Sequence, residues 1–356
     1  MGLVLTILLA AAASAALLLL AVRALLRRKY DIRSPSGIQT AGYVSINGAE
    51  QYVCIRGQDR SNPVLLVLHG GPGRNMAYYS YGWQGALERE YTVVHWDQRG
   101  CGNTYYRNPG AEPPALELLL SDLDALIDCL RRAFGAKKLL LLGHSWGTFL
   151  GARYAARHPE KVSALISVSQ MVDFKGSEKI SSREAARRAR AAGHERDAEC
   201  IEARLAKVQG LRTFGSEEAR ALLALRRSTE RYLPGQGGGR LLPFTIFSPY
   251  MTWADLRWLL EFQTSVRVNR PLFEALLEED ASLSRCCLRF EVPVILVSGA
   301  EDWTTPRVLA RQYFEAIAAP RKQFLTVEHA GHLPFLDRPE AFSAALLDTL
   351  RRLPPD

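Results

Sequence analysis

Metal-ligand spacing is missing from the six cysteines of this 356-residue sequence, Cys54, Cys101, Cys129, Cys200, Cys286 and Cys287. The last two are adjacent, which disfavours a disulfide framework, so reduced, mostly buried thiols are expected. No internal repeat is visible. With 47% hydrophobic and 23% charged side chains, the composition excludes a disordered or collagen-like chain, and the length suits one large α/β domain or two smaller ones. Acidic residues are in deficit, 37 against 45 Lys and Arg, for a formal charge of +8. Such a surplus can signal nucleic acid or an anionic membrane, and its location decides between them. Residues 23–29 carry four basic and no acidic side chains, residues 172–290 carry 20 and 16, and the remainder carries 21 of each. A concentrated basic stripe of the kind a nucleic-acid face needs is therefore lacking.

Charge is absent altogether from Leu3 to Val22, where only Thr6 and Ser14 are polar. A helix of that length spans about 30 Å, the thickness of a bilayer core. A cleaved signal would have a basic stretch before a shorter apolar core. Here the Ala13-Ser14-Ala15 stretch that resembles a cleavage site is followed by further apolar residues and then Arg23. An uncleaved single-pass anchor is expected, with the lipid bilayer met through residues 3–22. The positive-inside tendency then puts Arg23, Arg27, Arg28 and Lys29, and with them the body of the chain, on the cytoplasmic side.

Beyond a polar linker, Gly42 to Asn47 and Gln51 to Arg56 alternate around a Gly-containing turn and read as a hairpin. Val64 to Leu68, Tyr91 to Trp96, Lys138 to Leu142, Val162 to Val168 and Val292 to Val297 are short apolar runs, the pattern of strands covered on both faces. Helical patterns lie between them, at Met76 to Arg89, Leu116 to Phe134, Trp146 to Arg157, Pro306 to Ala318 and Pro339 to Arg352. Alternation of this kind predicts a mostly parallel sheet wrapped by helices. It stops between Val172 and Phe290, a stretch rich in Arg, Glu and Ala and broken at Pro234-Gly235 and Gly237-Gly238-Gly239. Four segments follow: 1–29 as anchor and basic flank, 30–171 as the first part of an α/β core, 172–290 as a helical cap and 291–356 as the second part of the core. The cap would lie over the carboxyl ends of the strands, where open α/β sheets carry their sites.

Gly143-His144-Ser145-Trp146-Gly147 follows an apolar strand and opens a helix. A turn that tight leaves room only for glycine beside the serine, and it projects the hydroxyl into solvent. Ser145 is the candidate nucleophile. A serine needs a base and an orienting carboxylate, in the chain order Ser, Asp, His. Asp302, in the loop after Val292 to Val297, is the candidate carboxylate, with Glu301 as its rival. His332 is the candidate base, ahead of His329. The oxyanion of a tetrahedral intermediate also needs donors, and the backbone N–H groups of Trp146 and of Gly71, in His69-Gly70-Gly71-Pro72-Gly73, are the candidates. Asp97 and Arg99, after Tyr91 to Trp96, read as a structural ion pair, and Cys101 is not read as a nucleophile.

Taken together, HGGPG at 69–73, DQRGCG at 97–102, GHSWG at 143–147, GAEDWTTP at 299–306 and HAGH at 329–332 resemble the prolyl iminopeptidase-like family of the α/β-hydrolase fold. The resemblance spans roughly residues 40–352. It implies Ser145, Asp302 and His332 as the triad and Gly71 and Trp146 at the oxyanion hole, and acyl transfer by these groups calls for no cofactor and no metal. It also implies removal of an N-terminal residue, typically proline, from a peptide whose ammonium is held by cap glutamates. Glu230, Glu261 and Glu274 are candidates for that role, with helix-surface ion pairing as the alternative. The expected function is a membrane-anchored serine hydrolase acting through an acyl-enzyme on a peptide or small acyl substrate. An aminopeptidase is expected first, then a carboxylesterase or lipase, and last a catalytically silent tethered binding protein.

Overall fold

The chain is described by a computed structural model covering residues 2–233, 235, 238–278 and 280–353. The first helix, α1 (Gly2–Tyr30), has no buried residue and is long and apolar enough to cross a membrane. A hairpin follows, β1 (Ile38–Ile46) and β2 (Ala49–Gly57), paired antiparallel. Its turn is Asn47-Gly48, both at positive φ (48° and 74°), the pair that a right-twisted two-residue turn favours.

The apolar runs become buried strands, β3 (Val64–Leu68), β4 (Thr92–Trp96), β5 (Leu139–His144), β6 (Val162–Val168, buried at all but Ser163) and β7 (Val294–Gly299), with β8 (Lys322–Val327) at the edge. The eight strands run in the order β1-β2-β4-β3-β5-β6-β7-β8, and every pairing from β4 to β8 is parallel. Alternate residues feed two cores. Leu66, Leu68, Leu139 and Leu141 pack under α3 (Leu116–Phe134) and α4 (Trp146–Arg157). Leu65, Val67, Leu140 and Leu142 face Phe335, Phe342 and Leu346 of α14 (Pro334–Asp337) and α15 (Pro339–Arg351). The short α2 (Gly102–Arg107) follows β4, and α13 (Arg307–Ala316) follows β7.

The stretch from Met76 to Arg89 departs from expectation. It is two 3-10 segments, Ala77–Gly82 and Gln84–Arg89, and not an α-helix. Tyr78, Tyr79, Tyr81, Trp83 and Leu87 are all buried, more faces than one amphipathic helix can present inward. At Gly82 the space of a Cβ is taken by the Phe244 ring.

Between β6 and β7 the described chain is helical: α5 (Phe174–Ala191), α6 (Glu195–Gln209), α7 (Ser216–Glu230), α8 (Leu241–Ile246), α9 (Trp253–Leu260), α10 (Phe262–Val268), α11 (Arg270–Leu277) and α12 (Leu283–Cys286). This segment is called the cap below. Pro234 and Gly237, part of the break read in the sequence, lie outside the described residues. All six cysteines are free. Cys101 and Cys287 are buried, whereas Cys200 and Cys286 are exposed, because they stand on outward turns of cap helices. The expectation of mostly buried thiols is corrected to that extent.

Candidate active site

Ser145 joins β5 to α4 with φ 53° and ψ −117°, a left-handed backbone that a non-glycine residue adopts only under constraint. The neighbours supply that constraint. A Cβ on Gly143 would lie 2.5 Å from the Gly147 carbonyl oxygen, and one on Gly147 would collide with the carbonyl oxygen of Leu68 at the end of β3. The Ser145 N–H donates to the Val168 carbonyl at 3.0 Å, fixing the turn to the end of β6. The strain therefore has a local cause, and it leaves the side chain at the rim of a cavity.

At the ends of β7 and β8 the structure joins Asp302 to His332, with Nδ1 of the ring 3.0 Å from Oδ2 and 3.2 Å from Oδ1. Asp302 also accepts from the backbone N–H groups of Thr304 and Thr305, each at 2.9 Å, and from the Thr305 hydroxyl at 2.8 Å. Burial alone would raise its pKa. The His332 ring and the donors outweigh that, and its carboxyl sits below the usual range. Its carboxylate oxygens are thus filled on all sides, and the ring of His332 is held in one orientation.

The backbone of His332 is held as well. His144 Nε2–H and the Ser169 hydroxyl both donate to its carbonyl at 3.0 Å. Burial pushes the His144 pKa down to about 3, helped by the His332 ring, so His144 is neutral and serves here as a donor. His329 is exposed with φ 56° and holds no position at the cavity. Glu301 anchors its loop through its backbone N–H, which donates to the Ala330 carbonyl. Ser145 and His332 both line the cavity, and no hydrogen bond joins their side chains among the described residues. Such bonds are often long without substrate and tighten in its presence.

Gly71, at φ 120°, lies in the turn after β3, opposite the start of α4. Neither its N–H nor that of Trp146 has a hydrogen-bond partner among the described residues, the condition in which two donors are open to an incoming oxygen. Gln98 ties the loops together. Its N–H donates to His69 Nε2 at 3.1 Å, and its side-chain oxygen accepts from Trp146 Nε1 at 3.0 Å. Burial lowers the His69 pKa to about 4, which keeps Nε2 free to accept.

Arg99 does not pair with Asp97. Its guanidinium, buried under the β1–β2 turn, donates to Asp122 of α3 at 2.7 and 3.0 Å and to the Asn47 carbonyl at 3.2 Å. Asp97 turns the other way, toward Asp255 at the start of α9. Asn75 and Asn103 bridge the two carboxylates: Asn103 Nδ2 lies 3.0 Å from Asp97 Oδ2 and 2.9 Å from Asp255 Oδ1, and Asn75 Nδ2 lies 2.6 Å from Asp255 Oδ1. This bridge, which sequence reasoning missed, latches the cap to the loop after β4. Burial and mutual repulsion raise the Asp97 pKa, and burial raises that of Asp255. A raised folded-state pKa contributes stability that is full below the unfolded value, about 4, and is lost as pH rises through the folded one. The melting temperature is therefore expected to be higher at pH 5 than at pH 8, with Asp97→Asn flattening the difference. Thermal melts at both pH values check this.

The cavity, about 550 Å³, is walled mainly by apolar side chains, among them Met171, Phe174, Phe214, Leu222, Trp258 and Phe262. None of the three expected cap glutamates lines it. Glu261 pairs with Arg257, Glu274 pairs with Arg270, and Glu230 is exposed. The carboxylate that does line it is Glu178, whose Oε1 accepts from Arg226 Nε at 2.9 Å. The signal for Glu178 was its place on the inward stripe of α5 with Phe174, Ser177 and Ser181, all of them buried.

Residues 63–339 match a protein family described as alpha/beta hydrolase fold. The chain is similar to a probable aminopeptidase, YbaC, of Bacillus subtilis, 27% identical over 85% of this chain and 93% of that one. It is also similar to a proline iminopeptidase of Lactobacillus helveticus, 25% identical over 87% and 97%. Among solved structures, a membrane phospholipase A superposes with a TM-score of 0.61 at 22% identity, covering 98% of each chain.

Proposed function

Because the chain belongs to the alpha/beta hydrolase fold family and is a hydrolase related to aminopeptidases, we propose that it is a serine hydrolase, anchored in a membrane by residues 3–22, that works through an acyl-enzyme. Ser145 Oγ attacks a carbonyl carbon while His332 takes its proton, and Asp302 holds the imidazole and balances the charge it gains. The N–H groups of Gly71 and Trp146 receive the oxyanion. His332 returns the proton to the leaving group. Water then repeats the sequence on the acyl-enzyme and frees the acid and Ser145. The basic flank Arg23, Arg27, Arg28 and Lys29 supports a cytoplasmic body.

The substrate we assign is an ester of an apolar acyl group. One observation carries this reading: the one cavity carboxylate among the described residues, Glu178, is already neutralised by Arg226, within walls that are mainly apolar and carry a second guanidinium, Arg74. An N-terminal ammonium would have to displace a guanidinium from it. An aminopeptidase is the second reading, favoured by the likeness to the two peptidases and by the presence of Glu178 itself. Hydrolysis of p-nitrophenyl esters from C2 to C12 is expected to exceed that of proline and alanine p-nitroanilides by at least a hundredfold in kcat/KM. Preferential turnover of the anilides, lost in Glu178→Gln, would establish the peptidase instead.

A further inference from the structure

Helix α8 stands between the membrane-crossing helix and the cavity. On one side Arg23, the first residue after the apolar run of α1, donates from Nε and Nη2 to the Ile246 carbonyl at 3.1 and 2.8 Å. On the other, Leu241 lines the cavity. Phe244 packs edge-on against Tyr81, which packs in turn against Tyr30 at the foot of α1, so the attachment is a cluster and not a lone bond. With Leu3 to Val22 in the hydrocarbon, the rise of an α-helix puts Arg23, and hence Ile246, in the headgroup layer.

What this region turns outward is apolar. Leu242 is 65% exposed, Ile246 42% and Phe247 39%. Helix α9 repeats the arrangement: Trp258 and Leu259 face the cavity, while Trp253, Leu256 and Leu260, spaced as one helix face, are exposed, Trp253 by 85%. From Leu241 to Leu260 the charged residues are Asp255, which is buried, and Arg257, which pairs with Glu261. Contiguous exposed apolar surface marks an interaction site, and tryptophan is enriched where hydrocarbon meets headgroups.

We propose that the outer faces of α8 and α9 are embedded in the headgroup layer of the bilayer that α1 crosses, and that the cavity behind them takes acyl esters of membrane lipids directly from that bilayer. The bond from Arg23 is what selects the bilayer over a protein partner or a second copy of this chain, because it fixes α8 at the level where the apolar span ends. The lipid-substrate half rests on the ester reading given above, whereas the embedding does not.

The test uses the full chain reconstituted in vesicles of phosphatidylethanolamine and phosphatidylglycerol. Parent protein and Leu242→Ser/Ile246→Ser are compared on water-soluble p-nitrophenyl butyrate and on an acyl-labelled phosphatidylglycerol in the vesicles. The variant is expected to keep soluble-ester turnover within twofold and to lose at least tenfold on the vesicle lipid. Equal turnover of the vesicle lipid by both proteins overturns the proposal, as does a parent that cleaves only the soluble ester. A parent that cleaves neither overturns the ester reading of the cavity and its lipid substrate together. Embedding is read separately, and without activity, from an environment-sensitive dye on Ile246→Cys in a chain with Cys200→Ser and Cys286→Ser. Blue-shifted emission quenched by lipids brominated on the acyl chain supports it. Emission typical of water overturns it, and so does a blue shift lost on diluting the protein at constant lipid, which marks self-association.

Discussion

Ser145→Ala is expected to lower kcat on the best ester by about 10⁴- to 10⁶-fold while leaving the fold and the melting temperature unchanged within a few degrees. Removing Oγ deletes the attacking atom but not the backbone N–H groups of Gly71 and Trp146, so a residue of rate above water remains. The structure gives the substitution little reason to destabilise: Ser145 is anchored through its backbone, its N–H donating to the Val168 carbonyl and its own carbonyl accepting from the N–H and hydroxyl of Thr148. Its left-handed φ is imposed by Gly143 and Gly147 and persists with alanine in place. Steady-state kinetics, thermal melting and labelling by a fluorophosphonate probe check the prediction together. Labelling that survives in the variant would place the nucleophile elsewhere.

Asp302→Asn is expected to cost about 10⁴-fold in kcat with little change in KM. The carboxylate accepts from four groups, His332 Nδ1, the backbone N–H of Thr304 and of Thr305, and the Thr305 hydroxyl. An amide has one oxygen to accept with and an NH2 that donates. It turns a donor toward Nδ1, which shifts the ring proton to Nε2, the atom that must receive the proton of Ser145. The same carboxylate bears on stability with a definite sign. Its folded-state pKa is depressed, so its contribution is full above the unfolded value of about 4 and fades as pH falls through the folded one. Parent protein should lose melting temperature below pH 4 more steeply than the asparagine variant, opposite to the trend from Asp97 and Asp255.

Much of the fold was legible because its strands are sequence-local objects. Val64 to Leu68 and Leu139 to Leu142 announce themselves as uninterrupted apolar runs, and burial on both faces is why no alternation interrupts them. The serine turn was legible for a steric reason that acts within five residues. Asp302 and His332 were found as loop residues at strand ends, before anything placed them 3.0 Å apart. Partnerships across the chain were not legible. Whether Arg99 turns to Asp97 or to Asp122 depends on which way a loop leaves its strand. The pairing of Glu178 with Arg226 depends on how α5 meets α7. The segment 76–89 misled because its aromatic residues have helical spacing in part, while the packing of the Phe244 ring on Gly82 is invisible from that segment alone.

The strand order also governs when the molecule becomes active during its own synthesis. Strand β7 joins the sheet beside β6, yet the whole cap is translated between them. Ser145 leaves the ribosome early, at a turn that β3 and β5 can already shape. The groups that would activate it belong to the final part of the chain, beyond β7 and β8. Pairings so distant in sequence form slowly, since loop closure precedes any compensating contact. On the serine hydrolase reading, a chain that stops before β7 therefore exposes a hydroxyl without its base, and hydrolytic competence arrives only once β7 and β8 have joined the sheet.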